Sequence, residues 1–567
     1  MTDIAQRPSF NLLEQPWIAC KTSDGPVLLS IRQVFDGSTQ PLSIVGDSPT
    51  QDYAVLRVLL AVFWRAHHYA LADTLSTRRG KDEFDWITWF LDTREELKAS
   101  GKDQIVLDYL DEYEDRFDLL HPETPFMQVA DLHTKSGEFA PISRLIPEAE
   151  HDYFTMRTGE GRKSLSFAEA ARWLIHAQAY DYSGIKSGAV GDPRVKGGKG
   201  YPIGTGWTGM TGGTMVRGDT LLDSLLLNTA ESAVGFDAAA DRPVWERPQD
   251  TAAQRLPDAE SISPHGASDL ATWQTRRIRL HFDHDAVHGV LVSNGDKIPD
   301  AGKNCFGDPM TPYRYSSNQT KRGILAYYPR PYDTDRTMWR SLDALIAAEG
   351  DAGFGKKEHA PKRPETLENL SRIAYEEGID WVLDLSIVSM SYGPQSSSVG
   401  TITSAAVGLP AYLLGDEEIS RANRALVRGA ASATKDAAIS LGWFAGQLLV
   451  AAGGDYEFGT DAADRLYTLL EPKFISWLRR LRKTDIEQEA VAWQIVVRNQ
   501  TLSLADELVR GAGQKALIGR MVDSTEDSAS GRIVSAGSLY RDLHRRLSKD
   551  LPLVHHPTQN ASEKNND

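Results

Sequence analysis

Asp416–Ala452 reads DEEISRANRALVRGAASATKDAAISLGWFAGQLLVAA, with apolar residues returning every third or fourth position and no proline. That spacing lines one face of an α-helix. Asp461–Lys483, Asp485–Val509 and Ser524–Leu547 repeat the pattern after short connections. Consecutive helices of this length, each with an apolar stripe to bury, predict an up-down four-helix bundle over residues 408–550. Residues 551–567 are mainly polar and are expected to form a disordered tail.

Upstream the pattern is mixed, so the fold class expected is α+β, with a large mixed N-terminal domain of irregular loops over residues 1–407. FNLLEQPWIAC (Phe10–Cys20) and PVLLSIRQVF (Pro26–Phe35), separated by KTSDG, predict a short hairpin-like unit. Helical periodicity covers Asp52–Leu71, Asp82–Ala99, Asp103–Phe117 and Thr220–Asn228. Ser166–Ala179 is a further helix with a hydroxyl cap at its start. Arg277–Asp283, Val287–Val292 and Trp381–Met390 read as strands.

Ser183–Arg217, SGIKSGAVGDPRVKGGKGYPIGTGWTGMTGGTMVR, follows the last of those helices and reads as a long loop. Glycine lets successive amides turn toward an anion, and Lys186, Arg194, Lys196, Lys199 and Arg217 supply charge. The alternative is a flexible surface loop that is glycine-rich because nothing constrains it.

At 567 residues and 41% hydrophobic content, the chain is long enough for two or three domains. A net charge of −16 excludes a protein that coats nucleic acid over its whole surface, so any such site is a local basic patch. Cys20 and Cys305 are the only cysteines, which excludes a disulfide framework or a cysteine-rich zinc site and fits a reducing cytoplasm. There is no signal pattern at the start and no apolar run of about twenty residues, so a cytoplasmic protein without membrane attachment is expected.

Catalytic motifs are sparse. His281, Asp283, His284, Asp285 and His288 carry metal-ligand chemistry, but on a strand they divide between opposite faces. A metal-dependent nuclease or hydrolase using this cluster is the alternative reading. Gly197-Gly198-Lys199-Gly200 lacks the spacing and hydroxyl of a phosphate-binding P-loop. Basic clusters at Arg479, Arg480, Arg482 and Lys483, at Arg541, Arg545 and Arg546, and at Arg276, Arg277 and Arg279 suit an interrupted path along a nucleic-acid backbone. The Arg479 group equally suits the negative end of a helix dipole.

Taken in order, FNLLEQPWI, TPFMQV (Thr124–Val129), the glycine-rich region running into MVRG, the β-rich middle and the terminal helices resemble the large subunit of the type I-E CRISPR surveillance complex, Cascade (the CasA family). The resemblance covers almost the whole chain. It implies a non-catalytic subunit, with no cofactor expected, that recognises the protospacer-adjacent motif in double-stranded DNA, starts unwinding and helps recruit the helicase-nuclease. Cysteine clusters that bind zinc in some relatives are absent here, so a metal-free middle domain is expected. Implied partners are the backbone and small subunits, the CRISPR guide RNA, target DNA and that nuclease. By position, the glycine loop is Ser183-Gly184-Ile185-Lys186, the motif lysine is Lys297 and the wedge is Gln395, stiffened by Pro394. Without the resemblance, Lys297 is a turn lysine and Gln395 a loop glutamine. A guide-RNA loop falls on Phe154, Arg157, Arg162 and Lys163, and DNA-backbone contacts on Lys196, Lys199, Arg479, Arg480, Arg482 and Lys483. The loop departs from the family at Ile185 and Lys186, which leaves Lys186 as a candidate phosphate or base contact. The strands around Arg277 are expected to hold their region by packing alone.

Overall fold

Ser30 shows how local chemistry sets the first element. Ile18–Thr22 and Gly25–Leu29 pair as the expected antiparallel hairpin, but Ile31–Phe35 continues as a helix. Ser30 Oγ accepts from Gln33 N at 3.2 Å while Gln33 Oε1 accepts from Ser30 N at 2.9 Å, a capping box that ends the strand pattern.

The computed structural model describes residues 8–147, 157–333, 337–354, 358–522 and 532–555. Two units divide the chain: Met1–Asp335 with Phe354–Glu376 and Leu383–Ala406, and Val407–Asp567 with Arg336–Gly353 and Glu377–Val382. Both helix and strand are present, as an α+β reading requires.

In the first unit the central helix, Pro49–Ser76, starts at a Ser48 cap with proline in its first turn. Val55, Leu56 and Val58 through Trp64 are all buried, the signature of a helix enclosed on every side. Phe167–Tyr180, capped by Ser166, packs along it. Arg276–Phe282 and Val287–Asn294 form an antiparallel pair with Ala140–Pro141 on the outer edge of the second strand. A second sheet orders Val399–Pro410, Val382–Tyr392 and Gly213–Arg217.

Several expectations change here. The glycine-rich stretch is not one long loop: Lys186–Ser187 pairs with Lys199–Gly200, Trp207–Met210 is a helical turn and Gly213–Arg217 is a strand. Val399–Pro410 is a strand that its small and polar residues concealed, since it is largely exposed up to Ala406 and carries no regular alternation. The helices Thr337–Ile346 and Glu365–Glu376 lay between turn-rich segments and were also missed.

In the second unit, Glu418–Ala452 packs against each of Thr460–Arg480, Ile486–Gly511 and Ala536–Asp550. Small buried residues, Ala430, Ala433, Ala437 and Ala438, allow that close approach. Gly453, at φ 103°, ends the first helix in a left-handed cap. Phe474, Trp477 and Trp493 share an aromatic cluster with Trp339, and Trp493 Nε1 donates to Thr434 Oγ1 at 3.0 Å. Of the helix expected over Ser524–Leu547, residues 524–531 lie outside the described residues, and the rest is not helical throughout. Arg520–Val522 pairs with Arg532–Val534, and the helix starts only after the capping box at Ser535. The expected tail also begins with order. Leu551 is buried, Pro552–His555 is a helical turn and Leu553 N donates to Gln494 Oε1 at 2.9 Å. Residues 556–567 lie outside the described residues. Among the described residues no helix is long and apolar enough to cross a membrane.

Candidate nucleic-acid interface

Phe167–Tyr180 ends at Asp181, and the turn that follows joins three of the segments singled out in the sequence. The Asp181 carboxylate is buried and meets Arg276 Nε, Arg144 Nη1 at 2.9 Å and Lys186 Nζ at 3.1 Å. Burial opposes its charge, but Arg276, Arg144 and Lys186 outweigh that and hold the carboxyl below the usual carboxylate range.

Lys186 is therefore an internal cation, contrary to its candidacy for a phosphate or base contact. Its side chain is 0% exposed, Nζ donates to Tyr182 O at 2.8 Å, and it sits 3.8 Å from the Tyr182 ring centroid. Burial pushes its pKa down to about 7; Asp181 resists this, and the two arginines add to it. Lysine yields because the arginines cannot deprotonate. The folded protein binds this proton less tightly than the unfolded chain. Stability contributed by Lys186 therefore rises with pH from about 7 toward its ordinary value. Urea midpoints of wild type and Lys186→Met at pH 6 and pH 9 are expected to shift relative to each other in favour of wild type at the higher pH. The slope is at most about 1.4 kcal/mol per pH unit.

Gly184 is required by packing. A Cβ there would lie 2.5 Å from Tyr182 Cε2, so a side chain would displace the ring held between Lys186 and Arg144. Next to it, Ser183 N donates to Ser396 O at 2.7 Å, and Ser183 Oγ accepts from Gly204 N at 3.0 Å. Tyr392 OH donates to Tyr180 O at 2.8 Å. The bond from Ser183 thus ties the Gly393–Ser398 turn, and the bond from Tyr392 the strand that enters it, to the end of the helix.

Gln395 stands on that turn with φ 56° and ψ 23°, followed by Ser396 at φ 53°. Left-handed backbone at non-glycine residues costs on the order of 1–3 kcal/mol each and persists where the surroundings over-determine it. Here Gly393 N to Ser398 O, Ser396 N to Gly393 O and Ser397 N to Pro394 O close the turn. The Gln395 side chain is exposed.

Lys297 follows a second buried carboxylate. Asp296 accepts from Arg277 Nη2 at 2.7 Å, Arg255 Nε at 2.6 Å and Arg255 N at 2.9 Å. Its pKa is lowered: burial acts against the charge and Arg277 and Arg255 prevail. Trp273 Nε1 donates to Asp296 O, and Ile262 N donates to Lys297 O. Lys297 Nζ lies 3.3 Å from Glu260 Oε1, on a glutamate that is 91% exposed. Such a surface pair contributes little and exchanges readily for another anion. The glycine-rich segment reaches this loop through Asn294 Nδ2, which donates to Tyr201 O at 2.6 Å, and Arg194 Nη1, which donates to Gly295 O at 2.9 Å.

Two expectations about the basic residues are corrected by these contacts. Arg276 and Arg277 are buried in ion pairs, and Arg279 Nη1 donates to Leu132 O, so this cluster is no surface path. Nor do packing forces alone hold the strands around Arg277, because buried ion pairs to Asp181 and Asp296 fasten them. The TPFMQV segment joins the same region. Gln128 Oε1 accepts from Leu280 N, and Met127 O accepts from Gln178 Nε2.

Lys196 and Lys199 occupy the ends of a tight turn in which Lys196 N donates to Lys199 O and the reverse, both at 3.1 Å. Gly197 and Gly198 take φ 59° and 74°, the pair of positive values that a type I′ hairpin demands. Both lysines are exposed.

The remaining residues are dispersed. Phe154 lies outside the described residues. Arg157 is occupied by an ion pair to Glu169. Arg162 is exposed on the short helix Gly159–Arg162, and Lys163 is exposed beside Glu160 at 2.8 Å. In the second unit Arg479, Arg480, Arg482 and Lys483 are exposed at the end of Thr460–Arg480, where Arg480 Nε donates to Ser476 O. His288 Nε2 lies 2.7 Å from Asp283 Oδ2. Asp283 caps its turn by accepting from Asp285 N and Ala286 N, which with His288 hold it down to about 2. His281 stacks on Phe139. Among the described residues no three of His, Cys, Asp or Glu converge as metal ligands.

Sequence reasoning missed Asp181, Tyr182 and Asp296. Asp181 meets Arg276 across 95 residues, and no local pattern pairs them.

Comparison with known proteins agrees with this architecture. The profile of the CRISPR-associated protein Cse1 family matches residues 11–504. A CasA/Cse1 protein of Thermus thermophilus is 28% identical over 388 residues, 67% of each chain. The crystal structure of Thermobifida fusca Cse1 superposes with a TM-score of 0.79 at 36% identity, covering 96% of this chain and 99% of that one. A chain of a solved CRISPR RNA-guided surveillance complex shares the fold at 20% identity and a TM-score of 0.55, over 89% of this chain and all of that one. The chain belongs to the CRISPR-associated protein Cse1 family.

Proposed function

We propose that this protein is the non-catalytic large subunit of an RNA-guided DNA surveillance complex, that it recognises the motif flanking the target in double-stranded DNA, and that it begins to open the duplex there. The observation that carries the reading is the joint at the end of Phe167–Tyr180. Ser183 N holds the strained Gln395 turn, while Asp181 anchors the strand that leads through the sheet to Lys297. A glycine backbone and one lysine suit the minor groove, whose pattern is degenerate, so several motifs are accepted rather than one. Gln395 on its closed turn suits a wedge: unstacking a base step costs a few kcal/mol, and guide pairing supplies the rest.

Within the same reading, the four long helices of the second unit form a bundle whose Arg479, Arg480, Arg482 and Lys483 follow a DNA backbone. Phe154, Arg162 and Lys163 meet the guide RNA. Arg157 serves that loop through its bond to Glu169. The backbone and small subunits, the guide RNA, target DNA and a helicase-nuclease are the partners, and the compartment is the cytoplasm. The net charge of −16 then falls on surfaces that face away from DNA.

The test is binding of the chain, assembled with guide RNA and the other subunits, to duplexes that differ only in the flanking motif. Lys297→Ala is expected to weaken motif-dependent binding on all duplex targets. Gln395→Ala is expected to slow opening of linear duplex while leaving a pre-opened target bound as by wild type. Motif-blind binding by wild type overturns the proposal, and equal effects of Gln395→Ala on closed and pre-opened targets overturn the wedge. Phe154→Ala is expected to loosen co-purification with the guide-bearing complex, and unchanged co-purification removes that contact.

A further inference from the structure

The hairpin built on Lys186–Ser187 and Lys199–Gly200 has two faces of different chemistry. Lys186 pairs with Gly200 and Ser187 with Lys199. The inner face is closed: Lys186 is buried on Asp181, and a Cβ on Gly200 would come within 2.8 Å of Asn294 Nδ2. Side chains alternate along a strand. Ile185, Ser187, Lys199 and Tyr201 therefore belong to the opposite face, and all four are exposed.

Continuing the register by one step sets Ile185 opposite Tyr201. Ile185 is 57% exposed and Tyr201 55%. A single exposed apolar side chain is ordinary. This pair differs in its surroundings. It shares its hairpin with Lys196 and Lys199, for which no ion pair is formed among the described residues, in a protein of net charge −16. Ile185 also lies two residues beyond Ser183, whose N–H holds the Gln395 turn.

We infer that this outer face is a stacking platform, on which a nucleobase released beside the opened duplex lies over the Tyr201 ring and against Ile185 while Lys199 and Lys196 meet the adjoining phosphates. The inference rests on the reading that Gln395 opens DNA at this site. Every base has a π-face, so the platform accepts any sequence and stabilises the open state without adding motif preference. The lysines supply the charge complementarity that selects nucleic acid as occupant.

The experiment uses the complete complex with guide RNA. One duplex carries 2-aminopurine at the first pair beside the flanking motif, and a second has the same position pre-opened by mismatches. With the pre-opened target, 2-aminopurine fluorescence is expected to be quenched on wild type and on Tyr201→Phe, and restored on Tyr201→Ala. Affinity of Tyr201→Ala for that target should fall roughly five- to one-hundred-fold with motif preference unchanged. The Lys196→Ala, Lys199→Ala double variant should reduce the salt slope of binding by about two. Equal fluorescence and affinity for wild type and Tyr201→Ala overturn the platform, while motif discrimination by wild type leaves the wider reading intact. Motif-blind wild type with Tyr201-dependent quenching keeps the platform and removes the wider reading. Loss of a co-purifying subunit in Tyr201→Ala marks the face as a protein interface and overturns the proposal.

Discussion

Replacing Asp181 with alanine is expected to destabilise the first unit by about 3–5 kcal/mol, because removing one partner of a buried ion pair strands the others without compensation. Three cations converge on this carboxylate, and the Arg276 and Lys186 side chains are both 0% exposed. Arg276 keeps bonds to Asp181 O, Tyr182 O and Gly204 O, which accept hydrogen bonds but carry no net charge. Asp181→Asn keeps the shape and loses the charge, so it should recover only part of the loss. The urea midpoint measures the effect, and a fall of less than about 1 kcal/mol, the size of an exposed pair, would contradict this account. Acid should act in the same direction. Since the Asp181 carboxyl is held below its unfolded value, its stabilisation is present above that value and is lost as pH falls through the folded one. Function should be lost together with stability, because Ser183, Gly184 and the tie to the Gln395 turn follow directly from Asp181.

Asp296→Ala should have a comparable effect, about 3–5 kcal/mol, through Arg277 and Arg255. Arg277 is fully enclosed, and after the substitution it keeps neutral acceptors at Thr251 O, Ala253 O and Gln274 O and only the more distant Asp250 carboxylate at 3.6 Å, so its charge is partly compensated. Arg255 keeps Asp269 at 3.1 Å and lies over the Trp273 ring, so it is the better served of the two after the substitution. Lys297 is the next residue, and its position depends on this anchor. Motif binding by Asp296→Ala, measured at a temperature where the variant remains folded, is expected to fall as far as for Lys297→Ala. Full motif binding by a folded Asp296→Ala variant would show that the lysine is placed without its neighbour.

Long periodic segments were legible from the sequence because helix and strand patterns are local. The Pro49–Ser76 and Phe167–Tyr180 helices and the Arg276–Phe282 and Val287–Asn294 strands fall where their apolar spacing puts them. Ile31–Phe35 was not, since a capping box overrode a strand-like composition. Val399–Pro410 was not either, because its small polar residues give no alternation and its strand character comes from pairing.

The family, the mixed class and the helical C-terminal part were legible along the chain, as was the turn that carries the exposed Gln395, while Lys297 proves half-buried beside its glutamate. Which cations face solvent depends on long-range packing. Lys186, Arg276 and Arg277 are as basic on paper as Lys196 and Lys199, yet the first three are buried against Asp181 and Asp296 while the last two stand on an exposed turn. The physical reason is that a charge is either solvated or paired inside, and the pairing partners here lie far away along the chain, brought together by the burial of apolar surface rather than by any local signal.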